Sequence, residues 1–417
     1  MTMNDLMRFS AEPFAPLIGL ASLMQCAFDK QDLRPVGAVL LERAQSNPQD
    51  ANALLDLSTV LQLTGQRAAA LAVQAEAIRV RSLYSLPAHG TPGLRLLVIM
   101  GPGDLMSNTP IEFLVEGADV ALDLLYLTLD SEWPETVPDH DVLMVAIAES
   151  DSNQPLLQLV AQLLDGWTRP VLNSPQRIAV LSRDGVCAAL DGTPGIVLPQ
   201  TTRVDRSAML ALAADAAALA ALAPDAAFPM IVRPVGSHAG QNLTKLSARD
   251  DIASYLDAVA GDRFYLARFI DYRSADGLFR KYRIAVIGGR PYVCHFAISS
   301  HWMIHYLNAG MDESPEKRRQ EAECMATFDQ QFAARHAAAL HAINERMGLP
   351  YLGIDCAETA DGQLLIFEID NAMVVHSMES EQVYAYKKPA MRKVFDAFRR
   401  LLDDIRPGPN SDRVRPD

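Results

Sequence analysis

The segment YLGIDCAETADGQLLIFEIDNAM, residues 351–373, sets three carboxylates inside two apolar runs that a fold would otherwise bury. LGIDCAET and QLLIFEID read as strands, and the Ala-Asp-Gly between them reads as a hairpin turn. Asp355 lies on the first strand, Glu368 follows 13 residues later on the second, and Asp370 comes two residues after that. Strand side chains alternate faces, so Glu368 and Asp370 share one, and antiparallel pairing can bring Asp355 alongside them. Three carboxylates at one place repel and lose hydration unless a cation sits between them. Magnesium, bound through carboxylates and nucleotide phosphates, is the natural occupant. A solvated hairpin face is the plainer alternative, and the position of Glu368 inside LLIFEI speaks against it.

Two other stretches suit the same chemistry. In FPMIVRPVGSHAGQNLTKL the strand PMIVRP carries Arg233, a loop holds Gly236, Ser237, His238, Ala239 and Gly240, and a second strand carries Lys245. Such a loop can lay backbone N–H groups over phosphates, and Arg233 can neutralise one directly; an ordinary hairpin is the alternative. Next comes the strand FYLARFI, with Tyr265, Leu266, Ala267, Arg268 and Phe269. It can present backbone groups to an adenine edge, and Asp271 is placed to accept from ribose hydroxyls. KYRIAVIGGRPYVCHFAIS reads as a hairpin about Gly288-Gly289, with Lys281 and Arg283 toward one end and His295 and Ser299 on the return strand. His301, His305 and Tyr306 follow. These groups read as substrate contacts or as structural residues. A metal reading of the histidines lacks a Cys or carboxylate spacing to complete it.

Ahead of this region the pattern is different. Residues 1–90 read as helical, and NPQDANALLDLSTVLQLTGQRAAALAVQAEAIRV is a helix–turn–helix unit broken at Gly65. Small residues at Ser58, Ala70 and Ala77 resemble those of the tetratricopeptide repeat, where two helices approach closely. A helical cap or homodimer-forming layer is one use for such a unit, and docking of a protein or peptide is another. SLPAHGTPG reads as a linker. Residues 91–175 then alternate short apolar strands with helices, which argues a small α/β layer with a parallel sheet. Its loop MGPGDLMSNTP is either a plain turn or an anion-holding one. Residues 176–405 read as a longer α+β region, and the polar, Pro-rich 406–417 as a frayed tail.

The net charge of -14, from 37 Lys+Arg against 51 Asp+Glu, disfavours nucleic acid or an anionic membrane as partner. Five scattered cysteines without CxxC spacing fit reduced thiols. No signal peptide or membrane span is read, so the expected location is cytoplasmic.

Taken together and in this order, these residues resemble the ATP-grasp superfamily, in the carboxylate–amine ligase type that includes D-alanine–D-alanine ligase, glutathione synthetase and ribosomal-protein glutamate ligases. VLNSPQRIAVLSRD and LDGTPGIVLPQT are similar to that family's entry into the grasp fold, with Arg183-Asp184 near its usual Asp-Lys pair. The resemblance implies an α/β and α+β architecture: a pre-ATP-grasp domain, and two subdomains clasping ATP between antiparallel sheets. It implies Arg183 and Arg233 in place of customary lysines, Gly236–Gly240 as the loop over the phosphates, and Tyr265–Phe269 with Asp271 and Lys281 around the nucleotide. Asp355, Glu368 and Asp370 would hold Mg²⁺, with Asn371 one residue beyond the usual Glu-x-Asn. Arg283 would face the transferring phosphoryl group, and His295, Ser299, His305 and Tyr306 the substrate. The implied activity is ATP-dependent amide formation between small-molecule or peptide carboxylate and amine substrates. A non-catalytic nucleotide-binding scaffold and a small-molecule kinase on the same fold are the alternatives.

Overall fold

The N-terminal region contains the helices α1 (Leu20–Phe28), α2 (Arg34–Ser46), α3 (Ala51–Leu63) and α4 (Arg67–Val80). The computed structural model describes residues 6, 7, 10–131, 133, 134, 136–215, 227–237 and 240–406. His238 and Ala239, and the tail residues 407–417, lie outside the described residues. Asp50 caps α3 by accepting from the Ala53 amide at 3.1 Å, and both its oxygens also take Arg43, a fully buried ion pair. Gly65, at φ +81°, turns the chain between α3 and α4. Ser58, Ala70 and Ala77 are buried, as close helix packing requires of small residues.

The chain then builds a five-stranded sheet in the order β1-β3-β2-β4-β5. β2 (Leu94–Met100), β3 (Val120–Tyr126), β4 (Val142–Val145) and β5 (Val171–Leu172) are parallel, and β1 (Leu83–Leu86) joins β3 antiparallel. β1 occupies residues read from sequence as the end of the helical region and its linker. It is tied in by Tyr84, whose buried hydroxyl donates to the Ala77 carbonyl at 2.8 Å.

Two antiparallel sheets complete the fold. One has the order β7-β10-β8-β9, from β7 (Thr201–Asp205), β8 (Met230–Pro234), β9 (Thr244–Leu246) and β10 (Arg263–Arg268). Its apolar face, with Val204, Val232, Phe264 and Leu266, packs on Met209 and Leu256 from the helices Arg206–Ala214 and Asp251–Ala258. The other has the order β12-β11-β13-β14-β6. It comprises β6 (Ile196–Val197), β11 (Phe279–Ile287), β12 (Arg290–Ser299), β13 (Tyr351–Glu358) and β14 (Leu364–Asp370). Gly288 and Gly289, at φ +55° and +77°, supply the two left-handed positions of the β11–β12 turn.

The faces of this last sheet differ. Tyr282, Ile284, Ile354 and Cys356 pack on Leu340 and Ile343 of the helix Ala337–Met347. Opposite, Ala285, Ile287 and Tyr351 join a core with Val394, Phe398 and Leu402 of the helix Lys387–Ile405 and with Leu96 and Val98 of β2. That helix cements the parallel sheet to the antiparallel one. Asn173 adds a polar pin, exchanging two bonds with the Tyr351 backbone at 2.8 and 3.1 Å. Among the described residues no helix is long and apolar enough to cross a membrane.

Candidate active site

Beyond the part of that face covered by the Lys387–Ile405 helix, the side chains change from apolar to charged. β13 and β14 pair with Asp355 opposite Glu368, and β11 places Arg283 opposite Asp355. Arg283 grips Asp355 with a fork, Nε to Oδ1 at 2.8 Å and Nη2 to Oδ2 at 3.0 Å, and Lys281 Nζ reaches the same carboxylate at 2.6 Å. Burial pushes the Asp355 carboxyl up, and Arg283 and Lys281 more than reverse it, leaving the group well below the usual carboxylate range.

Glu368 looks the other way, toward arginines from outside its sheet. Arg183 donates to the Glu368 carboxylate and, at 2.9 Å, to the Phe367 carbonyl. Burial raises the Glu368 carboxyl, but Arg183 and then Arg233 hold it below its ordinary value. Among the described residues Asp370 forms no ion pair. Its carboxyl is pushed up to about 7 by burial and by the neighbouring Glu368, although the Ala372 amide donates to it at 3.0 Å.

Arg233, on β8, is the positive counterpart. It is buried, bonds Ser237 through Nε–Oγ at 3.0 Å and through a second contact to the Ser237 carbonyl, and is pushed down to about 10 by burial and by Arg183. Two crowded arginines therefore face two crowded carboxylates where the antiparallel sheets meet. Gly236 and Gly240 both take positive φ in the loop that follows.

Other predicted residues are placed differently. β10 is paired on both sides, with β7 through 263–267 and with β8 through 264–268. The backbone of Tyr265, Leu266 and Ala267 is thus committed to ladders, and a free edge for adenine begins only at Arg268. Leu266 points into the core, and Tyr265 donates to Asp184 at 3.3 Å. Phe269 is buried under Lys245, whose ammonium lies 3.9 Å from the ring centre. Asp271 is exposed and paired with Arg273. Asn371 is fully buried: its Nδ2 donates to the Ile147 carbonyl at 3.0 Å and its main-chain carbonyl accepts from the Thr109 hydroxyl at 2.8 Å, so it ties β14 to the parallel sheet.

The substrate set divides. His305 is half-buried, and its pKa is lowered by burial, then by Lys281 and Arg283, which puts it in the charged group's company. His295 and Tyr306 instead belong to a buried hub around Lys387. That ammonium contacts His295 Nδ1 at 2.8 Å, donates to Tyr306 Oη at 3.1 Å, and pairs with Glu379. Tyr306 and Tyr386 donate to Glu321 at 2.8 and 2.7 Å. Ser299 is buried and accepts from the His301 amide at 3.1 Å. His295, His376 and Glu379 have ligand atoms within 4.8 Å of one another, but Lys387 already supplies the cation there.

Sequence reasoning missed Lys387, Glu321, Glu379, His376 and Arg203. Arg203 on β7 bridges Asp184 at 2.9 Å and Asp151 at 2.6 Å and lies over the Tyr265 ring, joining the parallel sheet's loops to the cleft. Alternation along Thr201–Asp205 places Arg203 on the face of Thr201, a signal the sequence did hold.

The sequence matches no family model and no curated relative. Among solved structures, the chain is similar to a RimK domain ATP-grasp protein from Sphaerobacter thermophilus DSM 20745, at 16% identity and TM-score 0.44, covering 75% of this chain and 99% of that one. It is similar to the VanG D-Ala:D-Ser ligase of Enterococcus faecalis at 14% identity and TM-score 0.47, covering 74% and 99%. For the D-alanine–D-alanine ligase of Bacillus anthracis complexed with ATP the values are 12%, 0.45, 75% and 98%.

Proposed function

We propose that this chain is an ATP-grasp enzyme: with magnesium and ATP it activates a carboxylate as an acyl phosphate and joins it to an amine, releasing ADP and phosphate. The observation that carries the reading is the meeting of Asp355, Glu368 and Asp370 with Arg183, Arg233, Lys281 and Arg283 between two antiparallel sheets. The residues fit the group. Glu368 and Asp370 offer hard oxygen donors on one strand face, as magnesium prefers, and the crowded pair Arg183 and Arg233 suits the oxygens of a polyphosphate. Bound there, magnesium and ATP supply an electrophilic phosphoryl group with its charge partly neutralised.

The chain's own residues do the rest. Lys281 and Arg283, held in place by Asp355, orient the substrate carboxylate and offset charge that develops on the phosphoryl oxygens. The glycine loop after β8 closes over the phosphates and keeps water from the activated acyl group. His305, kept neutral by burial and by the cations beside it, accepts a proton from the incoming amine. The substrates are a small-molecule or peptide carboxylate and an amine.

Thermal unfolding with and without magnesium and ATP, on wild type and Glu368→Ala, tests the nucleotide site without knowledge of the substrate. Ligand at about 100 times its dissociation constant stabilises by about 2.7 kcal/mol. A magnesium-dependent rise that shrinks in the variant supports the site, and ADP release with acid–amine pairs then identifies the reaction. A stable phosphoester in place of an amide would make the enzyme a kinase. No rise in wild type would sink the assignment.

A further inference from the structure

A cavity of about 60 Å³, with mixed polar and apolar walls, lies away from the cleft, between the helical layer and the carboxyl ends of β2 and β3. Ligands of open parallel sheets collect at such strand ends. Its walls include Asp56 from α3, Gln74 from α4, Tyr126 at the end of β3, and Glu112 and Asp104 from segments after β2. No lysine, arginine or histidine is among the residues lining it.

The two deep carboxylates have a structural task. Asp56 accepts from the Ile18 and Gly19 amides at 2.9 and 3.1 Å, and Glu112 from the Leu20 and Ala21 amides, both at 2.9 Å. These four bonds fix the entry to α1, whose N-terminal dipole favours the ionised forms of both carboxyls, as a cation in the cavity would. Burial pushes both carboxyls up. The second observation comes from neutral groups. Tyr126 and Gln74 are each 7% exposed. Gln74 Oε1 accepts from the Gly103 amide at 2.8 Å. Among the described residues its NH₂ and the Tyr126 hydroxyl have no hydrogen-bond partner. Both side chains line the cavity.

The loop MGPGDLMSNTP forms part of this wall. The Gly101, Gly103 and Met106 amides donate to Asn108, Gln74 and Asp104. The titratable groups lining the cavity are Asp56, Asp104, Glu112 and Tyr126.

We infer that this cavity binds a small primary ammonium group, with N–H donors directed at Asp56, Glu112 and the Tyr126 oxygen. A titration of the full chain with methylammonium chloride, followed by thermal unfolding and run without nucleotide, tests this apart from the ligase reading. Tetramethylammonium chloride is the control, having the same charge and no N–H to donate. Methylammonium is expected to raise the melting temperature saturably and tetramethylammonium is not. Tyr126→Phe should shift half-saturation upward about fivefold, the worth of one hydrogen bond. Thr59→Leu, which narrows the cavity from α3 without touching the carboxylates, should abolish the effect. Equal responses to the two salts, or saturation unchanged in both variants, would overturn the inference.

Discussion

Arg283 and Asp355 meet as a two-point fork across β11 and β13, with both carboxylate oxygens engaged at 2.8 and 3.0 Å. Lys281 bonds the same carboxylate, and Arg283 also donates to the Val374 carbonyl at 3.2 Å. The guanidinium is thus fixed in position and plane. A lysine at 283 would keep the charge and lose the fork. Arg283→Lys is expected to lower ADP release about 100-fold while leaving the magnesium- and ATP-dependent thermal shift nearly intact. An unchanged rate would remove Arg283 from the reaction.

Glu368 and Asp370 stand on one face of β14, and Asp370 is pushed up to about 7 by burial first and then by the neighbouring Glu368. Its folded pKa lies above the unfolded one, so its ionisation at pH 8 destabilises the ligand-free fold. Asp370→Asn removes the charge and keeps an oxygen. At pH 8 the ligand-free variant should be more stable than wild type by roughly 1–2 kcal/mol in urea unfolding. Its magnesium-dependent stabilisation by ATP should be smaller than that of wild type. A less stable variant would mean that the Asp370 carboxylate is already balanced in the fold.

The carboxylate hairpin was legible because its information is local. Period-2 alternation, a three-residue turn and a spacing of 13 place Asp355 opposite Glu368, as the register has it. The Gly288-Gly289 hairpin was legible for the same reason. What the sequence hid depends on distant elements. Lys387 opens a helix, where a lysine usually faces water, and it is buried only because β12 and the helix Pro315–Thr327 bring His295 and Glu321 to it. Without that partner in view, the sequence leaves His295 and Tyr306 open between substrate contacts and structural residues. The strand FYLARFI was plain, but not that neighbours would pair with both its edges. β1 was lost because four residues at the end of a helix carry too little pattern to oppose it.

The Lys387 hub should behave as a unit. Lys387 is 2% exposed, and its ammonium serves Glu379, His295 and Tyr306 together. Lys387→Met leaves the Glu379 carboxylate buried without its cation, which costs about 3–5 kcal/mol. Pairing it with Glu379→Leu removes the stranded charge, so the double variant should recover much of that loss. Urea unfolding of the four proteins gives the coupling. Additive losses would show that Lys387 and Glu379 do not depend on each other.

His376 gives the fold a pH signature. Its ring packs between Phe28 of the helical layer, Phe113 and His295. Burial pushes its pKa from 6.5 down to about 4; Glu379 opposes this, and Lys387 and Arg283 add to it. Between those values the unfolded chain binds a proton that the folded chain refuses. The stability tied to neutral His376 is therefore complete above about pH 6.5, falls as the pH drops, and levels off near 4. The span corresponds to about 3 kcal/mol. His376→Phe keeps an aromatic ring against Phe28 and Phe113 and removes the titration. In urea unfolding at pH 7, 5.5 and 4, wild type should lose stability relative to the variant by about that amount. Parallel curves would mean that His376 takes up its proton in the folded chain at close to its ordinary pKa.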